Sequence, residues 1–240
     1  MTKIIVHGLG RLGLSICTDA PEVIAAGIDV APPSGLSFPV FADVLSCKVP
    51  ADVIIDCSTA SAVDGIIGHA VRKDIPLVIC TTGLDNGILD KINDAANYIP
   101  IFLSANMSLG VGIAARLAAT AATALKGFDI EIIEKHHNQK LDAPSGTANL
   151  LADAIMAATG QKPQKHGRTG MEKRGEGEIG FHSIRGGTIV GEHSVIFAGP
   201  DEIIEIKHSA LSRRVFARGA ITAANLIAAK DPGLYNWSVL

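Results

Sequence analysis

Aromatic side chains are scarce in this chain: one Trp, two Tyr and seven Phe make up 4% of its 240 residues. A core must therefore be assembled mostly from Ala, Ile, Leu and Val. Cysteine is equally thin. Cys17, Cys47, Cys57 and Cys80 show neither C-x-x-C spacing nor the density of a secreted disulfide scaffold, which favours a reducing compartment and makes the cytoplasm the expected location. A basic surplus is missing too. The formal net charge of -3, without long Lys/Arg runs, argues against nucleic acid as a partner. No apolar run reaches the roughly 18 residues that a membrane span needs. The N-terminus opens straight into KIIVHGLG without a charged leader region, so neither export nor a membrane partner is expected.

What is present is globular. Hydrophobic residues make up 48% and charged residues 19%, and the length suits one large domain or two modest ones. Short β-branched runs alternate with helical stretches through the first hundred residues. KIIVHG, VIAAGIDV, ADVIIDC, IPLVIC and IPIFLSA have strand length and composition, while ASAVDGIIGHAVRK and GLDNGILDKINDAAN carry apolar residues at helical spacing. Such alternation implies βαβ units and a parallel sheet. From 108 the pattern changes to a long Ala-rich helix closed by Gly127, a strand FDIEIIEKH, another helix, and several strands in succession with Gly-Gly and Gly-Pro turn signals. The fold class expected is α/β: a Rossmann-like dinucleotide-binding domain over 1–107 and 213–240, plus an α+β domain for substrate and oligomerisation over 108–212. SRRVFARGAITAANLIAAK reads as a final helix that closes the chain. The locally basic KHGRTGMEKRGEGEIG (165–180) reads as a loop in preference to a positive rim around an acidic substrate.

Two segments carry chemistry. HGLGRLG sets Gly8, Gly10 and Gly13 in G-x-G-x-x-G spacing directly after a strand and before a helix, where glycines allow a tight turn and close approach of backbone amides to a pyrophosphate. Asp29 ends the second strand at about the 20-residue separation expected of a ribose-binding carboxylate. Val30 follows it, with no cation to neutralise a 2′-phosphate, so NADH is favoured over NADPH, although either cofactor fits the loop. The second segment is EKHHNQKLDAPSGTANLLADAI (134–155). Pro144 pushes its predecessor out of helix, and Ser145, Gly146 and Thr147 then start one, leaving amides free to hold an anion such as a carboxylate. His136, His137 and Lys140 add proton carriers beside that cradle. A metal is not expected, because adjacent histidines lack the spacing of helical ligand pairs and no Cys or Glu nearby completes a set.

HHNQKLDAPSGTA resembles the signature of the dihydrodipicolinate reductase family, whose activity is that of 4-hydroxy-tetrahydrodipicolinate reductase in diaminopimelate and lysine biosynthesis. HGLGRLG, CTTG, SANMSLGVG and IRGGTIVGEHSVIFAG are similar to further motifs of that family, so the resemblance covers most of the chain. It implies hydride transfer from NADH or NADPH to a cyclic imine dicarboxylate. It also implies His136 as proton donor or acceptor, Lys140 as proton donor, His137 in substrate binding, and Gly146 and Thr147 on a carboxylate. On the cofactor side it implies Gly8, Leu9, Gly10, Arg11, Leu12, Asp29, Cys80, Thr81, Thr82, Ser104, Ala105, Asn106 and Met107. Thr81 and Thr82 are then expected on ribose or phosphate. A homotetramer built through the second-domain sheet is implied as well. His7 stands where the family has its first glycine, which suggests a tighter loop, and Cys80 where glycine is usual. Two rival readings are a dehydrogenase for another imine or amino dicarboxylate, such as aspartate, and a redox sensor that binds the dinucleotide without turnover.

Overall fold

A computed structural model describes residues 1–160 and 164–239. Two compact units partition the chain, Met1–Leu109 with Arg214–Leu240 and Gly110–Arg213. In chain order the first unit holds β1 (Ile4–His7), α1 (Arg11–Asp19), β2 (Ile24–Ile28), β3 (Val40–Phe41), β4 (Val53–Asp56), α2 (Ala60–Lys73), β5 (Leu77–Ile79), α3 (Asn86–Ala95) and β6 (Pro100–Leu103). The second holds most of α4 (Leu109–Ala124), then β7 (Asp129–His136), α5 (Gly146–Thr159), β8 (Gln164–His166), β9 (Ile179–Arg185), β10 (Glu192–Gly199) and β11 (Glu202–Ser209). The chain returns to the first unit with α6 (Arg214–Ile227) and β12 (Gly233–Tyr235).

The first sheet runs β12-β6-β5-β4-β1-β2-β3 with every pairing parallel. Its central strands read as unbroken apolar runs because helices cover both faces. Period-2 alternation sorts them: Ile4, Val6, Val53 and Ile55 pack with Ile16 of α1 and Ala220 of α6, whereas Ile5, Ile54, Leu77 and Ile79 pack with Ile66 of α2 and Ile92 of α3. Strand order reverses between β1 and β4, the switch point at which a doubly wound sheet opens a crevice beyond its carboxyl ends. Asp85 caps α3 through Ile88 N at 2.9 Å. Asp19, its side chain 4% exposed, ends α1 and accepts from Arg214 Nε of α6 at 2.7 Å, tying the returning helix to the first helix of the chain.

The sheet of the second unit runs β11-β10-β7-β9-β8, antiparallel at β11-β10-β7 and parallel at β7-β9-β8. One face buries Ile130, Ile132, Phe181, Val195 and Phe197 against Ala118 of α4 and Leu151 and Ile155 of α5. Two expectations are corrected. The chain does not close on α6, since β12 pairs beside β6 and Trp237 packs edge-on to Phe102 at 4.8 Å. The 165–180 segment is not wholly loop, because 164–166 forms β8. Three of its four cations are also engaged, with Lys165 on Glu172, Arg168 on Glu178, and Arg174 on Asp129 and Glu131.

Candidate active site

The cofactor-side residues gather at the carboxyl ends of β1, β2, β5 and β6. His7 ends β1 instead of opening the turn, and Gly8 turns the chain with φ +87° while its N–H donates to Ile28 O at 2.8 Å. A side chain at Gly8 would lie 2.7 Å from the Cys57 carbonyl and Ser58 Cα, so strained geometry and close packing both demand glycine. Gly10 is different: it is exposed, and a Cβ there would meet nothing within 4 Å. The backbone of Gly10, at the N-cap of α1, is open to an approaching anion, which is the room a pyrophosphate needs.

Asp29 accepts from Leu9 N at 2.7 Å and Ala31 N at 2.9 Å, bracing the turn with its carboxylate. Val30 beside it is 89% exposed. Leu9, Cys80 and Met107 are buried in the core, so only their backbones face the strand ends. Arg11 and Thr82 are exposed, and Leu12 packs partly against the core. The Thr81 hydroxyl, expected on ribose or phosphate, instead donates to Asp56 Oδ2 at 2.6 Å and is buried. Asp56 is fully buried and also takes Ser58 Oγ at 2.6 Å and His7 Nδ1 at 2.7 Å, so one carboxylate locks the ends of β1, β4 and β5. Ser104 Oγ donates to Asn106 O at 2.7 Å, and Trp237 Nε1 reaches the same carbonyl at 3.1 Å. Ala105 is exposed between them.

The substrate-side residues gather in the second unit. Ser145 caps α5, accepting from Ala148 N at 3.2 Å, while Gly146 is exposed with open space at its Cα and Thr147 is half-buried. Lys140 Nζ reaches Asp142 at 2.7 and 2.9 Å, which holds the Asp142 carboxyl below its usual range. Arg213 donates to His137 Nε2 at 3.3 Å.

His136 is buried at the end of β7 with its Nδ1 2.5 Å from Glu134 Oε2. Burial pushes the Glu134 carboxyl up, but hydrogen bonds from Arg185, Ser183 and His136 outweigh it and bring it down to about 2. An ionised Glu134 only accepts, so the Nδ1 of His136 carries the proton and a neutral ring keeps its lone pair on Nε2. Burial above all, joined by Lys140 and Arg185, lowers the His136 pKa against the upward pull of Glu134.

Glu134, Arg185 and His193 escaped the sequence reading. Glu134 carries a local signal, two residues before His136 on the same face of a strand. Arg185 and His193 arrive only through pairing, as His136↔Arg185 and Glu134↔His193. His193 is buried, 2.9 Å from Ser145 Oγ and edge-on to His136 at 5.1 Å. Burial, then the neighbouring His136, lower its pKa from 6.5 to about 4. An unfolded chain binds that proton from pH 6.5 downward while the folded one does not, so stability falls with pH across 6.5 to 4, by about 2 kcal/mol on reaching pH 5. His193→Gln should flatten this acid loss, read as the change in urea midpoint between pH 7 and pH 5. An equal loss in both proteins would remove His193 as its source.

A parallel sheet with a glycine turn after β1 and an acidic end to β2, joined to a unit bearing proton carriers and an open helix start, defines a dinucleotide-dependent oxidoreductase. Family models described as "Dihydrodipicolinate reductase, N-terminus" and "Dihydrodipicolinate reductase, C-terminus" match residues 2–107 and 110–240. Proteins named 4-hydroxy-tetrahydrodipicolinate reductase from Caldanaerobacter subterraneus and Clostridium novyi are 48% and 46% identical, each alignment covering 98% of this chain and 96% of the relative. The chain belongs to the dihydrodipicolinate reductase family. Among solved structures, a dipicolinate-bound dihydrodipicolinate reductase from Paenisporosarcina sp. TG-14 has TM-score 0.85 at 24% identity over 100% of both chains. Aspartate dehydrogenase from Thermotoga maritima reaches 0.55 at 12% identity, covering 97% of this chain and 100% of its own. Both are likenesses of fold. No helix among the described residues is long and apolar enough to cross a membrane.

Proposed function

We propose that this chain reduces 4-hydroxy-tetrahydrodipicolinate, as its formally dehydrated cyclic imine, to tetrahydrodipicolinate in diaminopimelate and lysine biosynthesis, and that the residues above divide the work. Relatives sharing up to 48% identity over nearly their whole length carry that activity in their names. The observation that carries the residue-level reading is the second unit's combination of an open, serine-capped helix start with Lys140 and a buried, oriented His136. Neither rival reading accounts for that combination. A redox sensor needs no proton donor, and a shared fold with aspartate dehydrogenase brings no such segment.

The first unit binds the dinucleotide, Gly8 to Leu12 offering backbone to the pyrophosphate and Asp29 accepting ribose hydroxyls. When bound, the nicotinamide supplies a hydride. Gly146 and Thr147 hold one substrate carboxylate by their amides and the Thr147 hydroxyl, and His137 helps seat the ring. Lys140, as a cation, delivers the proton that balances the hydride, and His136 exchanges a proton at Nε2. Mixing the purified protein with NADH and freshly generated cyclic substrate should bleach the nicotinamide absorbance. Retained absorbance with NADH still bound would support the sensor instead.

NADH is the preferred cofactor. Asp29 would repel a 2′-phosphate, and exposed Val30 offers it no counter-charge. The dissociation constant for NADH should be the smaller of the two; an equal or smaller one for NADPH would overturn this preference. The assembly is a homotetramer built through the second unit's sheet, consistent with Ile184, Ile203 and Ile204 standing 45%, 69% and 41% exposed on its strands. All four cysteines are free, in keeping with a cytoplasmic enzyme.

A further inference from the structure

Glu134 is 1% exposed and yet ionised, which demands complete compensation. It has that. Oε1 accepts from Arg185 Nη2 at 2.7 Å and Ser145 N at 3.2 Å; Oε2 accepts from Arg185 Nη1 at 2.8 Å and meets His136 Nδ1 at 2.5 Å. At least two donors therefore reach each oxygen, and Ser183 adds a further hydrogen bond. Arg185 is itself fixed, its Nη2 also reaching Asp142 O at 2.7 Å and its Nη1 Ile184 O at 2.8 Å.

A carboxylate alone at this distance from an imidazole would draw a proton onto the ring and hold it as an ion pair. A guanidinium gripping the same carboxylate through both nitrogens cancels that pull while leaving the hydrogen bond that orients the ring. We propose that Arg185 and Glu134 form a charge-balanced positioning pair for His136: Glu134 fixes the ring with Nδ1–H inward, and Arg185 neutralises the carboxylate so that the ring rests uncharged, accepting protons at Nε2. This rests on the assignment of His136 as a proton carrier, and sharpens it. His136 takes the acceptor role and the donor role falls to Lys140.

The charged and titratable groups around the ring fit this division. Glu134 lies on its own strand, Lys140 and Asp142 in the segment that follows, Arg185 on β9, and His193 on β10 with His208 of β11 paired behind it. Lys140 is engaged by Asp142. His193, held neutral by its burial, adds no charge at neutral pH.

The test is a titration of His136 by NMR in histidine-labelled full-length protein, assigned with a His136→Asn control, alongside the pH profile of kcat. Arg185→Gln should raise the His136 midpoint by about one to two pH units, as expected when a carboxylate's counter-ion is removed. Glu134→Gln, which keeps the shape and leaves Arg185 unopposed, should lower it. Arg185→Lys, keeping the charge, should restore most of the wild-type value. Loss of a merely structural contact would not drive the two Gln variants in opposite directions. Midpoints that stay put, or move the same way, overturn the proposal. If Arg185→Gln does not fold, the fall expected for Glu134→Gln decides alone. Should the midpoints move as stated while the kcat profile ignores them, the charge balance stands and the assignment of His136 as proton carrier fails.

Discussion

Alanine at position 136 should lower kcat by about 10²- to 10⁴-fold, the range typical of a lost acid-base group, with NADH affinity unchanged. The separation is expected because the residues proposed to bind the dinucleotide belong to the other unit. The protein should stay folded, since Glu134 keeps Arg185 and Ser145 N as partners when the imidazole is removed. Lys140→Ala should produce a fall of similar size. Its Nζ pairs with an Asp142 side chain that is 59% exposed, so truncation leaves no buried charge behind. If both groups serve one proton inventory, the double variant should lose far less than the product of the single losses, as residues acting as a unit do. Steady-state rates from nicotinamide absorbance, with NADH affinity measured separately, check all three. Full turnover in either single variant would remove that residue from the mechanism.

Those two candidates stand out in the sequence because their signals are local. The same holds for ASAVDGIIGHAVRK, whose span coincides with α2, where Arg72 and Lys73 close the last turn before Asp74 enters the left-handed region. Gly8, Gly10 and Asp29 were legible through spacing tied to a strand, a turn and a helix. What escaped depends on pairing between distant segments. Arg185 lies 51 residues from Glu134, and nothing near it announces a partner. His7 and Thr81 converge on Asp56 only because β1, β4 and β5 are neighbours in the sheet. Thr81 is instructive: a hydroxyl in a Thr-Thr turn at a strand end suits a ligand, and here it donates to a buried carboxylate of the neighbouring strand. β3 and β12, two and three residues long, are too short to show a hydrophobic period. β12 nonetheless extends the sheet, because Tyr235 at its end and Trp237 just beyond it pack on the core of the first unit.

The glycine turn provides the second large effect, and two adjacent variants separate packing from ligand contact. Gly13→Ala should be severely disruptive. Its Cβ would lie 2.0 Å from the carbonyl oxygen of Gly8 and 3.1 Å from the carbonyl carbon. Both obstacles are backbone, so α1 must lift away from β1. Overpacking of this kind costs about 1–3 kcal/mol, and at about 2–4 °C per kcal/mol for a chain of this size the thermal midpoint should fall by roughly 2–12 °C. Lifting α1 also withdraws its first amides from any pyrophosphate, and losing even ~1.4 kcal/mol there weakens NADH tenfold. Gly10→Ala should behave differently. The protein offers its methyl no obstacle within 4 Å, so the midpoint should hold. The same methyl would intrude on the space assigned to the phosphates, so NADH binding should weaken by a similar factor. Thermal melts with and without NADH, together with direct titration, distinguish the two. Wild-type NADH affinity in Gly10→Ala would mean that the open space above the α1 cap is not where the pyrophosphate lies, whatever Gly13→Ala does to the fold.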